Sequence, residues 1–184
     1  MKAAIFGGSF DPPHTGHDAI VTSALKDLDI DRLYIVPTWM SPFKNGFSAP
    51  PEQRIAWAKR LWGHLDNVTI IDYEVRQKRS VPSAESVLYL KKCYPISHLY
   101  LIIGADNYKT LPKWHRYDEL KHEVEFVVAN RDGRPLPQDL KKLPIHVNIS
   151  SSILRDSPDP DFIPTSIRDE VLSYYKQGKL CKNV

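Results

Sequence analysis

Residues 3–17 read Ala-Ala-Ile-Phe-Gly-Gly-Ser-Phe-Asp-Pro-Pro-His-Thr-Gly-His, and the order of strand, turn and helix in this stretch decides the fold prediction. The apolar run at residues 3–6 is typical of a short buried strand, which the two glycines end at a turn. Thr15 and Asp18 have the spacing of a capping box ahead of apolar residues at near-helical intervals. A helix is therefore predicted to begin at about Thr15, directly after the loop.

The alternation of strand and helix continues along the chain. Further strands are predicted from apolar runs at residues 33–36, 68–71, 98–103, 125–129 and near 145–149. Helices are predicted through residues 55–62, from Ser83 onward, around residues 114–120 and over about residues 166–176. This alternation indicates an α/β fold with a Rossmann-like, doubly wound, mostly parallel sheet and helices on both faces. We expect one domain, residues 1–184, with a small C-terminal helical part from about residue 150.

The composition narrows the class of protein. The 25 Lys and Arg residues and 22 Asp and Glu residues leave a formal charge of +3, too low to indicate a nucleic-acid partner. Since no apolar run approaches the about 18 residues that cross a bilayer, and no signal-peptide segment opens the chain, we expect no membrane partner. Cys93 and Cys181 lie far apart and indicate neither a disulfide framework nor a cysteine metal site. We expect a cytoplasmic protein, and the sequence defines no oligomeric state.

Four loops with chemically distinctive residues each follow a predicted strand. They comprise residues 7–17, 37–44, 104–106 and 150–155. In an open parallel sheet, ligands bind in the crevice outside the carboxyl ends of the strands. The sequence therefore predicts that these loops converge on one site.

The first of these loops has the features of a phosphate site. Gly7 and Gly8 allow the backbone to approach a ligand closely, and the start of the following helix favours an anion. His14 and His17 are three residues apart, so both imidazoles can donate to the same phosphate chain. The loop is not a dinucleotide fingerprint, because prolines stand where that motif begins its helix. A structural turn with exposed histidines and half of a metal site stay open for the loop alone.

The last loop, residues 150–155, also has features of a phosphate site. Serine hydroxyls and unpaired N–H groups at a helix start bind phosphate, and Ser151 and Ser152 occupy such a start. Arg155 follows Ser152 by three residues and faces the same side. In isolation, the same residues also fit a simple N-cap with a surface arginine.

Taken together, the two loops resemble the signature of the nucleotidyltransferases of the His-x-Gly-His superfamily. Within that superfamily, residues 102–107 and 111–117 are similar to the Gly-x-Asp and Pro-x-Trp block of bacterial nicotinate mononucleotide adenylyltransferases. Residues 37–44 are similar to the Pro-Pro-His-Lys loop of the same family. The resemblance implies adenylyl transfer from ATP to nicotinate mononucleotide, giving nicotinate adenine dinucleotide and pyrophosphate in NAD biosynthesis. Mg²⁺ would arrive with ATP, without a dedicated protein cage.

The resemblance also implies a set of site residues. Those expected to bind ATP are Gly7, Gly8, Ser9, Phe10, His14, His17, Gly104, Asp106, Ser151, Ser152 and Arg155. Those expected to bind the acceptor nucleotide are Lys44, Ser83, Glu85, Trp114 and His115. His14, His17, Arg155 and Lys44 are expected to stabilise the charge that develops on the phosphates. Trp114 can stack on a pyridinium ring, although core packing is an alternative role for it.

The chain departs from the family pattern in three segments. Ser83-Ala84-Glu85 stands where the family commonly has Ser-Tyr-Thr, His115 where it often has Tyr, and Phe43 where it has His. An ionised Glu85 would repel a pyridine carboxylate, so acid and amide acceptors both stay open, with the acid favoured. Backbone N–H groups around Trp114 could still bind the carboxylate. Phosphopantetheine adenylylation, or a non-catalytic ATP-binding or RNA-binding module, are the alternative functions.

Overall fold

The computed structural model describes residues 1–40, 46–130 and 136–180, and in that part of the chain six strands form one parallel sheet. The strands are β1 (Lys2–Gly8), β2 (Arg32–Pro37), β3 (Val68–Ile70), β4 (His98–Gly104), β5 (Glu125–Asn130) and β6 (Lys141–Pro144). Their spatial order is β3-β2-β1-β4-β5-β6, and each neighbouring pair is parallel. The direction of winding reverses between β1 and β4, which places a crevice there. The predicted Rossmann-like, doubly wound fold is confirmed.

Helices connect the strands over both faces of the sheet. They are α1 (Thr15–Asp27), α2 (Pro51–Trp62), α3 (Tyr73–Arg76), α4 (Ser83–Cys93), α5 (Ala105–Tyr108), α6 (Tyr117–Glu123), α7 (Ser151–Asp156) and α8 (Arg168–Leu180). Short 3₁₀ turns lie at Leu111–Lys113, Pro160–Phe162 and Thr165–Ile167. None of the helices in the described ranges is long and apolar enough to cross a membrane.

The core consists of two apolar layers, one on each face of the sheet. Because successive side chains of a strand point to opposite faces, Ala4 and Phe6 of β1 enter one layer, and Ala3 and Ile5 enter the other. The first layer also contains buried side chains of α1, α2, α7 and α8, and the second contains those of α4 and α6. We call the two sides the first face and the second face.

Two elements differ from the sequence prediction. The last strand is Lys141–Pro144 and not residues 145–149. The ladder ends at Pro144, whereas Ile145 and Ile149 are buried in the first-face core outside the strand. Their apolar pattern therefore reported burial rather than strand pairing. The helix predicted around residues 114–120 begins only at Tyr117, because Arg116 adopts a left-handed conformation with φ of 58°.

Candidate active site

A cleft of about 740 Å³ opens at the carboxyl ends of β1 and β4. Loops from both faces of the sheet line it, as the winding reversal requires. The predicted site residues that line the cleft are Gly7, Gly8, Ser9, Phe10, His14, His17, Ser83, Gly104, Asp106, Trp114, His115, Ser151 and Ser152. Lys44 lies outside the described residues. The structure therefore brings most of the predicted residues into one site.

The lining divides into two walls according to the core layer behind it. The histidine wall consists of residues 7–10, His14, His17 and residues 150–152, backed by the first-face core. The tryptophan wall consists of Glu74, residues 80–83 and residues 113–115, backed by the second-face core. Both walls line the same cleft.

The two histidines cap helix α1 reciprocally. His14 Nδ1 accepts from the backbone N–H of His17, and His17 Nδ1 accepts from the backbone N–H of His14, each at 3.3 Å. The capping box is thus formed by His14 and His17, and the prediction that Thr15 and Asp18 form it is wrong. An imidazole nitrogen that accepts a hydrogen bond carries no proton, so the neutral ring is protonated on Nε2. Both rings therefore carry their donor on the nitrogen that the cap does not use.

The geometry of the pair depends on the glycine between the histidines. The imidazoles stack with their centroids 3.7 Å apart and their planes 21° apart, and His14 is only 2% exposed. A Cβ at Gly16 would come within 3.1 Å of the His14 ring, tighter than ordinary contact. Phe10 supports the pair from below, since its ring meets the His17 ring edge-on at 5.0 Å. Glycine at position 16 therefore leaves room for the stacked rings.

A second glycine has a comparable role in the loop after β1. The Cβ of any residue at position 8 would lie 3.0 Å from the ring of Phe10. That ring is buried, and Phe10 itself has a φ of 49°. Gly8 therefore allows the loop to fold back over β1 and place Phe10 under the histidines.

A buried arginine holds the loops around the histidine wall. Arg54 of α2 is 1% exposed and donates to four backbone carbonyls, and burial lowers its pKa. The acceptors are Ser9 at 2.5 Å, Trp39 at 2.7 Å, Thr38 at 2.8 Å and Ala49 at 3.1 Å. Since these carbonyls belong to the loops after β1 and β2, one side chain fixes the two loops relative to each other.

Asp11 binds backbone N–H groups near the histidine wall, whereas Arg54 binds backbone carbonyl groups. Its buried carboxylate accepts from the backbone N–H of Ser48 at 2.9 Å and of Ala49 at 3.0 Å. It also accepts from the hydroxyl of Tyr175 on α8 at 2.5 Å. Burial and the Asp11 carboxylate hold the pKa of that hydroxyl well above its usual range. The C-terminal helix is thereby connected to the histidine loop.

The motif at residues 150–155 also supports the first loop. Ser150 caps α7 by accepting from the N–H of Ile153. Ser151 donates to the carbonyl of Pro12 at 2.9 Å. Arg155 donates to the carbonyl of Asp11 at 2.5 Å and to Ser152 Oγ at 3.0 Å, and it is not part of the cleft lining. Arg155 donates through Nη1 and Nη2 to protein oxygens in this structure, and its contact with a phosphate stays a prediction.

The tryptophan wall is built differently, around apolar contacts. Trp114 follows a 3₁₀ turn, packs against the second-face core and lines the cleft. Its buried Nε1 has no hydrogen-bond partner within the described ranges. Its backbone N–H donates to the carbonyl of Leu111 at 3.0 Å, so that group is not available to a pyridine carboxylate.

Glu85 lies outside the cleft lining. Its carboxylate pairs with Arg79 at 2.6 Å, and the hydrogen bond with Arg79 lowers the pKa of Glu85. The charge of Glu85 is compensated by Arg79 at the surface of α4. The structure therefore gives no support to the repulsion that the sequence suggested between Glu85 and an acidic acceptor.

Glu74 is a cleft residue that the sequence analysis missed. It lies in the short helix α3, is 5% exposed and lines the tryptophan wall. Ser86 of α4 donates its hydroxyl to Glu74 Oε1 at 2.6 Å. Burial raises the pKa of the Glu74 carboxyl to about 7. The four-residue helix has too few residues for a periodic signal, and nothing in the sequence distinguishes Glu74 from a surface carboxylate.

Known proteins resemble this chain in sequence and in fold. Residues 5–157 match the cytidylyltransferase-like family. A Campylobacter jejuni protein named "Probable nicotinate-nucleotide adenylyltransferase" is 51% identical over 183 residues, with 100% of both chains covered. A Nitratiruptor protein of the same name is 47% identical, with 96% of this chain and 99% of the relative covered.

The chain belongs to the nicotinate-nucleotide adenylyltransferase family. This confirms the predicted family and the assignment as a nucleotidyltransferase enzyme. Among solved structures, the Plasmodium falciparum nicotinic acid mononucleotide adenylyltransferase complexed with NaAD has a TM-score of 0.78. The two are 19% identical, and the match covers 95% of this chain and 97% of the Plasmodium chain, which shows that they share a fold.

Proposed function

We propose that the chain transfers the adenylyl group of ATP to the 5′-phosphate of nicotinate mononucleotide, producing nicotinate adenine dinucleotide. A phosphate oxygen of the mononucleotide forms a bond to the α-phosphorus of ATP while the bond from the α-phosphorus to the β-phosphate oxygen breaks. Pyrophosphate leaves with that electron pair. A phosphate monoester, with a second pKa of about 6, is already nucleophilic near neutral pH, so the reaction needs no strong base from the protein.

The observation that carries this proposal is the reciprocal cap of His14 and His17. The cap fixes both rings at one wall of the cleft and leaves Nε2 as the donor nitrogen of each. Donors that are already oriented can stabilise the charge growing on the α-phosphate oxygens without reorganisation during the reaction. The start of α1 adds the positive end of its dipole to the same wall. Adenylyl transfer is then mainly positioning and charge stabilisation.

The tryptophan wall is suited to the acceptor nucleotide. Trp114 offers an aromatic face to a pyridinium ring, and a phosphopantetheine arm would make no comparable contact. Ser83 and His115 line the same wall and supply polar groups near the ring. Since the wall that holds the histidines lies on the opposite side, the acceptor phosphate would approach ATP across the cleft.

We assign the remaining predicted roles as part of the same proposal. Gly104 and Asp106 line the cleft at the end of β4, where the adenylate ribose would lie. Lys44 and Arg155 would bind phosphate oxygens when ATP is present. Mg²⁺ would neutralise the triphosphate and would be held mainly by phosphate and water oxygens. A cytoplasmic location fits a step of NAD biosynthesis.

The test measures pyrophosphate release from Mg-ATP with three acceptors in parallel. Nicotinate mononucleotide should give the highest kcat/KM, nicotinamide mononucleotide a lower one, and phosphopantetheine no release. Release with phosphopantetheine alone would support that alternative transferase. Salt-sensitive RNA binding without any pyrophosphate release would support the non-catalytic module and contradict the proposal.

A further inference from the structure

Glu74 is a buried carboxyl group in the wall of the cleft that the proposed mechanism does not use. It belongs to the wall that contains Trp114, on the second face of the sheet, and not to the wall of the histidine pair. Burial of a carboxyl group without a cationic partner is unfavourable for its ionised form. Glu74 accepts a hydrogen bond from the hydroxyl of Ser86, which donates to Oε1 at 2.6 Å. The group is therefore placed where an acceptor base would bind, and its protonation state is finely balanced.

The contact with Ser86 determines where a proton on Glu74 would lie. Oε1 already accepts a hydrogen bond, so in the neutral acid the proton is carried by Oε2. Neutral Glu74 is then a hydrogen-bond donor through Oε2, and ionised Glu74 is only an acceptor. The same atom thus presents opposite hydrogen-bonding character on the two sides of its pKa.

The groups around Glu74 hold the pKa of its carboxyl group near neutral pH. Burial, as the largest effect, raises the pKa to about 7, the Ser86 hydrogen bond lowers it, and Glu85 raises it. The neighbouring charges are mostly paired, Arg79 with Glu85 at 2.6 Å and Arg76 with Asp72 at 3.0 Å. The other titratable groups near this wall in the described ranges include Tyr34 of β2, Tyr73 of α3, Tyr89 of α4, Asp106, Lys113 and His115.

We propose that Glu74 determines the preference for a pyridine carboxylate over a pyridine carboxamide in the acceptor. Neutral Glu74 donates a hydrogen bond to the ring carboxylate of nicotinate mononucleotide. Ionised Glu74 repels that carboxylate and accepts from the carboxamide N–H of nicotinamide mononucleotide. This inference rests on the proposed function, and it makes Glu74 a specificity-determining residue.

The experiment compares the two acceptors as a function of pH. kcat/KM for nicotinate mononucleotide and for nicotinamide mononucleotide is measured by pyrophosphate release at saturating Mg-ATP from pH 6 to 8.5. The ratio of the two values cancels the ionisations that both substrates share, including the 5′-phosphate and the histidine pair. For the unaltered enzyme we expect the acid-to-amide ratio to fall by roughly tenfold as the pH rises through about 7.

Three variants separate specificity from structure. Glu74→Gln cannot ionise, so its ratio should not change with pH. Ser86→Ala removes the hydrogen bond that lowers the Glu74 pKa, so the fall in the ratio should move to higher pH. Glu52→Gln, an exposed carboxylate on α2, is the matched control and should behave like the unaltered enzyme.

The possible outcomes are distinct. A ratio that is independent of pH in the unaltered enzyme, or that falls equally in Glu74→Gln, would overturn the proposal while leaving adenylyl transfer intact. If Glu74→Gln does not fold, the direction of the Ser86→Ala shift decides, and an unmoved midpoint contradicts the role of Glu74. Absence of pyrophosphate release with both nucleotides at every pH would instead contradict the proposed function itself.

Discussion

The two walls of the cleft are stabilised by different physical interactions. The histidine wall is fixed by buried polar contacts, in which Arg54 holds carbonyl groups and Asp11 holds N–H groups of neighbouring loops. The tryptophan wall is fixed by apolar packing against the second-face core and contains one buried carboxyl group, Glu74. A wall that binds phosphates needs donors held at fixed positions, whereas a wall that binds an aromatic base needs a ring surface. The difference therefore matches the two ends of the proposed reaction.

The largest effect is expected from removing Arg54. Arg54→Met keeps the apolar stem but leaves four buried carbonyl groups without their donor. We expect the free energy of unfolding to fall by about 3–5 kcal/mol, as when one partner of a buried polar network is deleted. Urea denaturation measures this. Lys59→Met, an exposed site on the same helix, should change it by less than about 0.5 kcal/mol, and an equal loss in both would argue against the network.

A smaller effect on stability, with a defined pH dependence, is expected from Glu74 on the tryptophan wall. Its pKa is raised to about 7 in the folded protein from 4.5, so unfolding between these values releases a proton. The contribution of neutral Glu74 to the free energy of unfolding is therefore fully present below about pH 4.5, and it is lost as the pH rises to about 7. The total loss is on the order of 3 kcal/mol.

The measurement is urea denaturation of the enzyme and of Glu74→Gln at pH 5.5 and pH 8. Relative to the unaltered enzyme, the variant should gain stability at the higher pH, because it has no charge to bury. A constant difference between the two proteins would show that the carboxyl group is already ionised in the folded protein at pH 5.5, and it would contradict the raised pKa.

The next effect concerns catalysis at the histidine wall. His17→Asn keeps an acceptor near the position of Nδ1, so the cap with the N–H of His14 can form, but it removes the Nε2 donor. We expect kcat to fall by about 10²-fold with little change in stability. His17→Ala removes both functions and should lose about 1 kcal/mol of stability in addition. Near-normal turnover in His17→Asn would show that His17 only caps the helix.

The sequence predicted the parts of this architecture that repeat along the chain. Buried parallel strands are continuous apolar runs, so β1 through β5 were located to within two residues at each end. The histidine loop was recognisable because glycine, proline and histidine each have properties that other residue types do not share. The reciprocal cap was not predicted, since histidine is not among the residues that usually cap helices.

The buried polar residues were harder to predict, for two different reasons. Arg54 lies on the buried stripe of α2 with Trp57, Ala58 and Leu61, so the helical spacing could have indicated its burial. Its acceptors, however, lie in two loops whose positions depend on tertiary structure. Glu74 offered no such signal, because its burial results from the contact of α3 with α4 across the loop at residues 77–82.

The smallest effect should appear at Trp114. Trp114→Leu keeps apolar bulk against the second-face core but removes the aromatic face, and the KM for nicotinate mononucleotide should rise about tenfold. Trp114→Phe, which retains a ring, should lie close to the unaltered enzyme. The KM for ATP is the internal control and should not change in either variant, because ATP contacts the opposite wall. A parallel rise in both KM values would mean that Trp114 supports the whole cleft, and the two walls would not then act on separate substrates.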